Sequence, residues 1–176
     1  MWLHTDAPRL DGNKVKILLD RDQALQVESS TPAVDPAALS KRLEDQICEF
    51  WRCIALTPAV IGREEHIVSL FGLGIEVNIL SDVIINGYEV ARDSGVKRLN
   101  PFLPATLRTK IEAALALDGL TNSSLVQAHL ALARIMQEEG RKLATRHGFA
   151  YPVELETAAL EYTMRELAMV GVVVRE

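Results

Sequence analysis

Apolar and polar positions follow a helical period along most of the chain, and the apolar ones are densest between Glu64 and Ala91. That stretch has no proline and carries Ile67, Val68, Leu70, Phe71, Leu73, Ile75, Val77, Ile79, Leu80, Val83, Ile84, Ile85 and Tyr88. On a 3.6-residue period this set covers nearly every side, and a helix that is apolar all round is a buried one. The pattern predicts a central rod, roughly 40 Å long at 1.5 Å per residue, with other helices packed around it. One polar line survives on it: Asn78, Asp82, Asn86 and Glu89, at i, i+4, i+8 and i+11, share a face. Glu76 stands apart from that line. Such a line is either the solvated face of the rod or a row of oxygen acceptors lining a pocket between helices.

The remaining elements follow from the same pattern. Residues 1–25 read as a β-hairpin appendage, with strands at residues 2–5 and 14–19 around an Asp11-Gly12-Asn13 turn. Residues 26–36 are a polar connector. Asp35 caps a helix that opens on Pro36 and carries Leu39, Leu43, Ile47, Phe50 and Ile54 on one face to about Ala55. Thr57-Pro58 is its expected stop. After the rod, Asp93-Ser94-Gly95 and a proline-containing loop lead to helices over 104–117, 123–147 and 152–170. Gly148 is placed to end the second of these. The last helix is expected to bury Leu155, Ala159, Tyr162 or Met164, Leu167 and Val170. The fold class is therefore mainly α: a five-helix bundle domain over 36–176, preceded by the small hairpin.

Composition narrows the function classes. At 176 residues the chain can bury a core without disulfides. A net charge of −5 argues against a nucleic-acid surface and suits a cationic ligand better. The rod is long enough to cross a bilayer, but Glu76, Asp82 and two asparagines make insertion costly. Cys48 and Cys53, five apart on one helix, read as reduced thiols in a cytoplasmic protein.

Three motifs carry candidate chemistry. Asp20 and Asp22, just past a strand, have the spacing of a Mg²⁺-holding pair, yet no Gly-Ser phosphate turn precedes them, and turn chemistry explains them. Glu49 and Arg52 read as a surface pair, or, with Trp51 beside them, as carboxylate and aromatic groups that receive a cationic ligand. Arg141 and His147 fit an Arg-x5-His spacing found in small helical ribonucleases, but cations at a helix C-terminus account for Arg146 and His147. His129, on an inward face, reads as a core histidine; His4 and His66 have no partners at metal spacing.

Lys14 to Asp22, Cys48 to Cys53, Gly62 to Glu64, Ser94 to Pro104 and Arg146 to Glu156 together form an ordered series of segments. That series resembles the C-terminal part of the streptomycin-type aminoglycoside adenylyltransferases, within the aminoglycoside nucleotidyltransferase family, and covers nearly the whole chain from Lys14 onward. The resemblance implies a helical domain that closes over the antibiotic, with Glu49 and Trp51 towards the aminoglycoside and Arg63 and Lys97 towards the nucleotide phosphates. It also implies that the Gly-Ser and Asp-x-Asp core is not in this sequence, that Asp20 and Asp22 are not a metal pair, and that Mg²⁺ and ATP would be used only with a catalytic half in another chain. One departure is Pro58-Ala59-Val60-Ile61, where relatives tend to carry a lysine.

Two functions remain. The first is a ligand-binding helical domain of this kind, inactive alone, whose pocket lies between the 36–55 helix and the rod, walled by Trp51 and lined by Glu49, Asp82 and Asn86. The second is a protein-interaction module without a small-molecule ligand, which hides apolar surface in a homodimer or against a partner domain. A helical ribonuclease is a more distant alternative.

Overall fold

The computed structural model describes residues 9–11, 26–28, 35–90 and 98–172. Among them the protein is mainly helical, with five α-helices: α1 (Pro36–Ile61), α2 (His66–Gly87), α3 (Ala105–Ala114), α4 (Asn122–His147) and α5 (Val153–Met169). A 3-10 turn, Asn100–Phe102, precedes α3. The expected hairpin strands at residues 2–5 and 14–19 lie outside the described residues, as does Lys97. Two short strands are described there, β1 (Arg9–Asp11) and β2 (Gln26–Glu28), and they pair in parallel with Arg9 opposite Gln26.

The caps are where the sequence puts them. The Asp35 side chain accepts from the Ala37 N–H at 3.0 Å, ahead of Pro36 in the first turn of α1. Thr121 caps α4 by accepting from the Ser124 N–H at 3.2 Å. Gly148 ends α4 at φ 71°, a left-handed conformation that a Cβ would oppose.

Pro58 does not stop α1, which runs through it to Ile61. A proline inside a helix has no N–H for the carbonyl four residues earlier, here Ile54. The hydroxyl of Thr163 on α5 donates to that same carbonyl at 3.2 Å, so the vacated acceptor is satisfied from another helix. Thr163→Val keeps the side-chain shape and leaves the Ile54 carbonyl buried without its donor. The expected loss is about 1–3 kcal/mol, read as a lower denaturant midpoint; an unchanged midpoint would refute this account.

The buried face of α5 keeps Ala159 and Leu167, as expected, but is turned so that Glu156 and Thr163 join them. Glu156, Ala159, Thr163 and Leu167 point inward, while Leu155, Tyr162, Met164 and Val170 are exposed. The Thr163 hydroxyl is bonded to Ile54, and Glu156 is bonded through one carboxylate oxygen, Oε1, which accepts from Arg141 at 2.5 Å and from Gln137 at 2.9 Å.

α2 is also not the rod that was expected. It packs against α1 and α4, whereas α1 packs against α2, α4 and α5, and α4 against α1, α2 and α3. The bundle is centred on α1 and α4, which bury Leu43, Ile47, Phe50, Trp51, Ile54, Leu125, Leu132 and Met136 completely. The C-terminal half of α2 is enclosed through Leu80, Val83, Ile84 and Ile85. Its N-terminal half leaves Ile67, Val68, Leu70, Phe71 and Ile75 exposed, because no described element covers that side. By length and composition α2 could cross a membrane. Close approach at its far end comes from Gly87, where a Cβ would lie 2.6 Å from Leu143 Cδ1 on α4.

Candidate functional site

Where α1 and the uncovered half of α2 diverge, they leave a pocket of about 300 Å³. Its walls are Leu56, Val60, Val68, Phe71 and Ile75, and at its rim Glu49 and Arg52 form a two-bonded ion pair at 2.7 and 2.5 Å. At its floor are three polar groups that are almost wholly buried: Ser69, Glu76 and His129.

Helix geometry assembles this floor. Ser69 and Glu76, seven residues apart, fall on one face of α2 two turns from each other. Gly72 lies between them, and a Cβ built there would meet His129 Cε1 at 3.5 Å, so the imidazole from α4 rests over a position without a side chain. His129 Nδ1 is 2.8 Å from both Glu76 carboxylate oxygens, and its Nε2 is 3.0 Å from Ser69 Oγ. With Glu76 ionised, Nδ1–H donates to the carboxylate and Nε2 accepts from the serine hydroxyl. With Glu76 protonated, the carboxylic acid donates to Nδ1 and Nε2–H donates to the serine. Burial pushes the Glu76 carboxyl above its ordinary range, against the hydrogen bond and charge of His129, which pull it down.

Two further groups on the α1 wall matter. Thr57 is 4 % exposed and lines the pocket, and its hydroxyl has no hydrogen-bond partner among the described residues. An orphaned buried hydroxyl is costly unless a ligand or water meets it. Cys53 is the pocket's thiol, but burial first, and then Glu49, push it up to about 11, so it stays protonated and unreactive.

The expected site residues divide. Glu49 reaches the pocket. Trp51, two positions on, points to the opposite side of α1: it is fully buried, sits edge-on to Phe50, and donates from Nε1 to Tyr151 Oη at 3.1 Å. Asp82 and Asn86 are half-buried further along α2, away from the pocket lining, and Asn86 Nδ2 donates to the Asp82 carbonyl at 2.6 Å. Arg63 is exposed in the turn between α1 and α2. Arg141 and His147 make no joint site: Arg141 bonds Glu156, and His147 Nε2 lies 2.7 Å from the Gly87 carbonyl. Among the described residues no three His, Cys, Asp or Glu side chains are grouped to hold a metal.

A larger depression, about 590 Å³, lies between α3 and α4. Its charged residues, Asp118 and Arg134, are both exposed, and no buried titratable group faces it. Of the two, the smaller pocket is the one lined by buried titratable groups. Sequence reasoning passed over Ser69 and left Glu76 unassigned; the legible signal was Ser69, Gly72 and Glu76 on one face of α2, opposite an inward histidine. The chain matches no protein-family model, and comparison with curated proteins and with solved structures found no match.

Proposed function

We propose that this chain is a small-molecule-binding helical domain related to the ligand domain of aminoglycoside nucleotidyltransferases, and that its ligand is a cationic, ring-bearing molecule held between α1 and α2. The observation that carries this reading is the α1–α2 pocket, which sets carboxylates at rim and floor, Glu49 and Glu76, on either side of an apolar wall. Ammonium groups form charge-assisted hydrogen bonds with carboxylates, and ring faces pack on residues such as Phe71 and Leu56. Alone, the domain transfers no nucleotide; that step requires Mg²⁺, ATP and a catalytic half in another chain. With Cys48 and Cys53 as free thiols, it works in the cytoplasm.

A thermal-shift panel of aminoglycosides tests this. A ligand at a hundred times its Kd is expected to stabilise the domain by about 2.7 kcal/mol. Glu49→Gln should remove most of that shift at little cost to the apo protein, because the exposed Glu49–Arg52 pair contributes little to stability. No shift with any compound at millimolar concentration would reject the reading.

A second reading has its own support. Leu56, Ile67, Val68, Phe71 and Ile75 form an exposed apolar surface around the pocket mouth. As an interaction module the protein would pair this surface with a second copy, and light scattering showing a monomer across the micromolar range would reject it.

A further inference from the structure

We propose that Ser69 is a nucleophile, that His129 is its general base with Glu76 as the positioning residue, and that the α1–α2 pocket accepts small carboxylic esters with an apolar acyl group. The inference uses the same pocket as the reading above but does not depend on the charge of that ligand. Four independent features meet there. The serine–imidazole and imidazole–carboxylate distances, 3.0 and 2.8 Å, are those at which a base takes a hydroxyl proton and a carboxylate holds the ring. The Ser69 hydroxyl lies at the floor of a concave, apolar-walled space whose volume of about 300 Å³ suits a small acyl chain. The Ser69 N–H is taken by the Glu65 carbonyl at 2.9 Å, so a developing oxyanion needs a side-chain donor. Thr57 supplies one: a buried, pocket-lining hydroxyl with no partner of its own.

The reaction balances without an added reagent other than water. Ser69 Oγ adds to the ester carbonyl carbon while its proton passes to His129 Nε2, and the carbonyl π pair moves onto oxygen, facing the Thr57 hydroxyl. Collapse re-forms the carbonyl and breaks the bond to the alcohol oxygen, which leaves with the proton from His129. Water then adds to the acyl-serine by the same route, giving up a proton to His129, and the carboxylic acid departs as Ser69 Oγ regains its proton. Glu76 keeps Nδ1–H pointed at itself throughout, which leaves Nε2 free to act as base.

The test uses the full chain with an alkyl fluorophosphonate, which captures an activated serine, and p-nitrophenyl butyrate as substrate. The expected result is one phosphonyl group per chain, mapped to Ser69, and ester hydrolysis that both Ser69→Ala and prior labelling abolish. Ser123→Ala, an exposed serine outside the pocket, should label as the wild type does. Thr57→Val separates chemistry from folding. It removes a hydroxyl that has no partner, so the protein should be at least as stable, while hydrolysis falls by about a hundredfold through loss of the oxyanion donor. His129→Gln should slow labelling by a hundredfold or more. Absence of labelling on folded protein, labelling that survives Ser69→Ala, or full activity in Thr57→Val would each overturn the proposal. An aminoglycoside shift without labelling would sink the nucleophile alone; labelling without a shift would sink only the cationic ligand.

Discussion

His129→Ala is expected to cost about 3–5 kcal/mol of unfolding free energy, the range for removing one partner of a buried pair. The imidazole is 3 % exposed and is hydrogen-bonded to both Glu76 and Ser69, so its loss leaves two buried polar groups facing a void. The pH dependence identifies the cause. Burial already raises the Glu76 carboxyl, and the bond and charge of His129 are what oppose that rise. Without them the folded-state value climbs further above the unfolded one, so the folded protein binds more protons than the unfolded chain. Stability then falls as pH rises through the ordinary carboxylate range and up to the raised value, and levels off beyond it. The deficit of the variant should thus be larger at about pH 8 than at about pH 5. Chemical denaturation of both proteins at the two pH values checks this, and a deficit independent of pH would show that the lost volume, not the stranded carboxyl, is responsible.

Trp51→Ala should have an effect of similar size, about 3–5 kcal/mol. The ring is fully buried, lies at 5.5 Å from the Phe50 ring in an edge-on arrangement, and anchors Tyr151 through its indole N–H. Trp51→Phe retains much of the volume and removes only the indole N–H, while the half-buried Tyr151 hydroxyl keeps the Glu156 carboxylate beside it, so less than half that cost is expected. A role as a ligand wall makes the contrary prediction: Trp51→Ala would lose ligand affinity while the apo protein kept its melting temperature. Equilibrium unfolding of the apo variants decides between the two.

The two residues also show which parts of the molecule could be read from sequence. Helix identity and most helix ends were legible, because capping by Asp35 and the turn at Gly148 are local chemistry. The end of α1 was not. Pro58 breaks a helix on local grounds, and the Thr163 hydroxyl that compensates is 109 residues along the chain from the Ile54 carbonyl it bonds. An acidic residue beside a tryptophan suggested one site at Glu49 and Trp51, yet a step of two residues turns a helix by about 200° and sends them to opposite sides. Only Glu49 therefore reaches the pocket. Glu76 was hidden for the opposite reason: its partner is on another helix, and a charge on an apolar rod cannot announce its counterpart.

The turn between α1 and α2 has an implication for the order in which the molecule assembles. It spans only residues 62–65, whereas the bonds from His129 to Ser69 and Glu76 join positions 60 and 53 residues apart. The entropy of closing a chain segment grows with its length, so the α1–α2 hairpin is the cheaper closure and docking of α4 the later one. Until α4 arrives, Glu76 keeps its hydration shell, and the nascent hairpin carries no buried charge. On this order the bonds of His129 form late, and His129→Ala is expected to speed unfolding more than it slows folding, which stopped-flow unfolding and refolding would check.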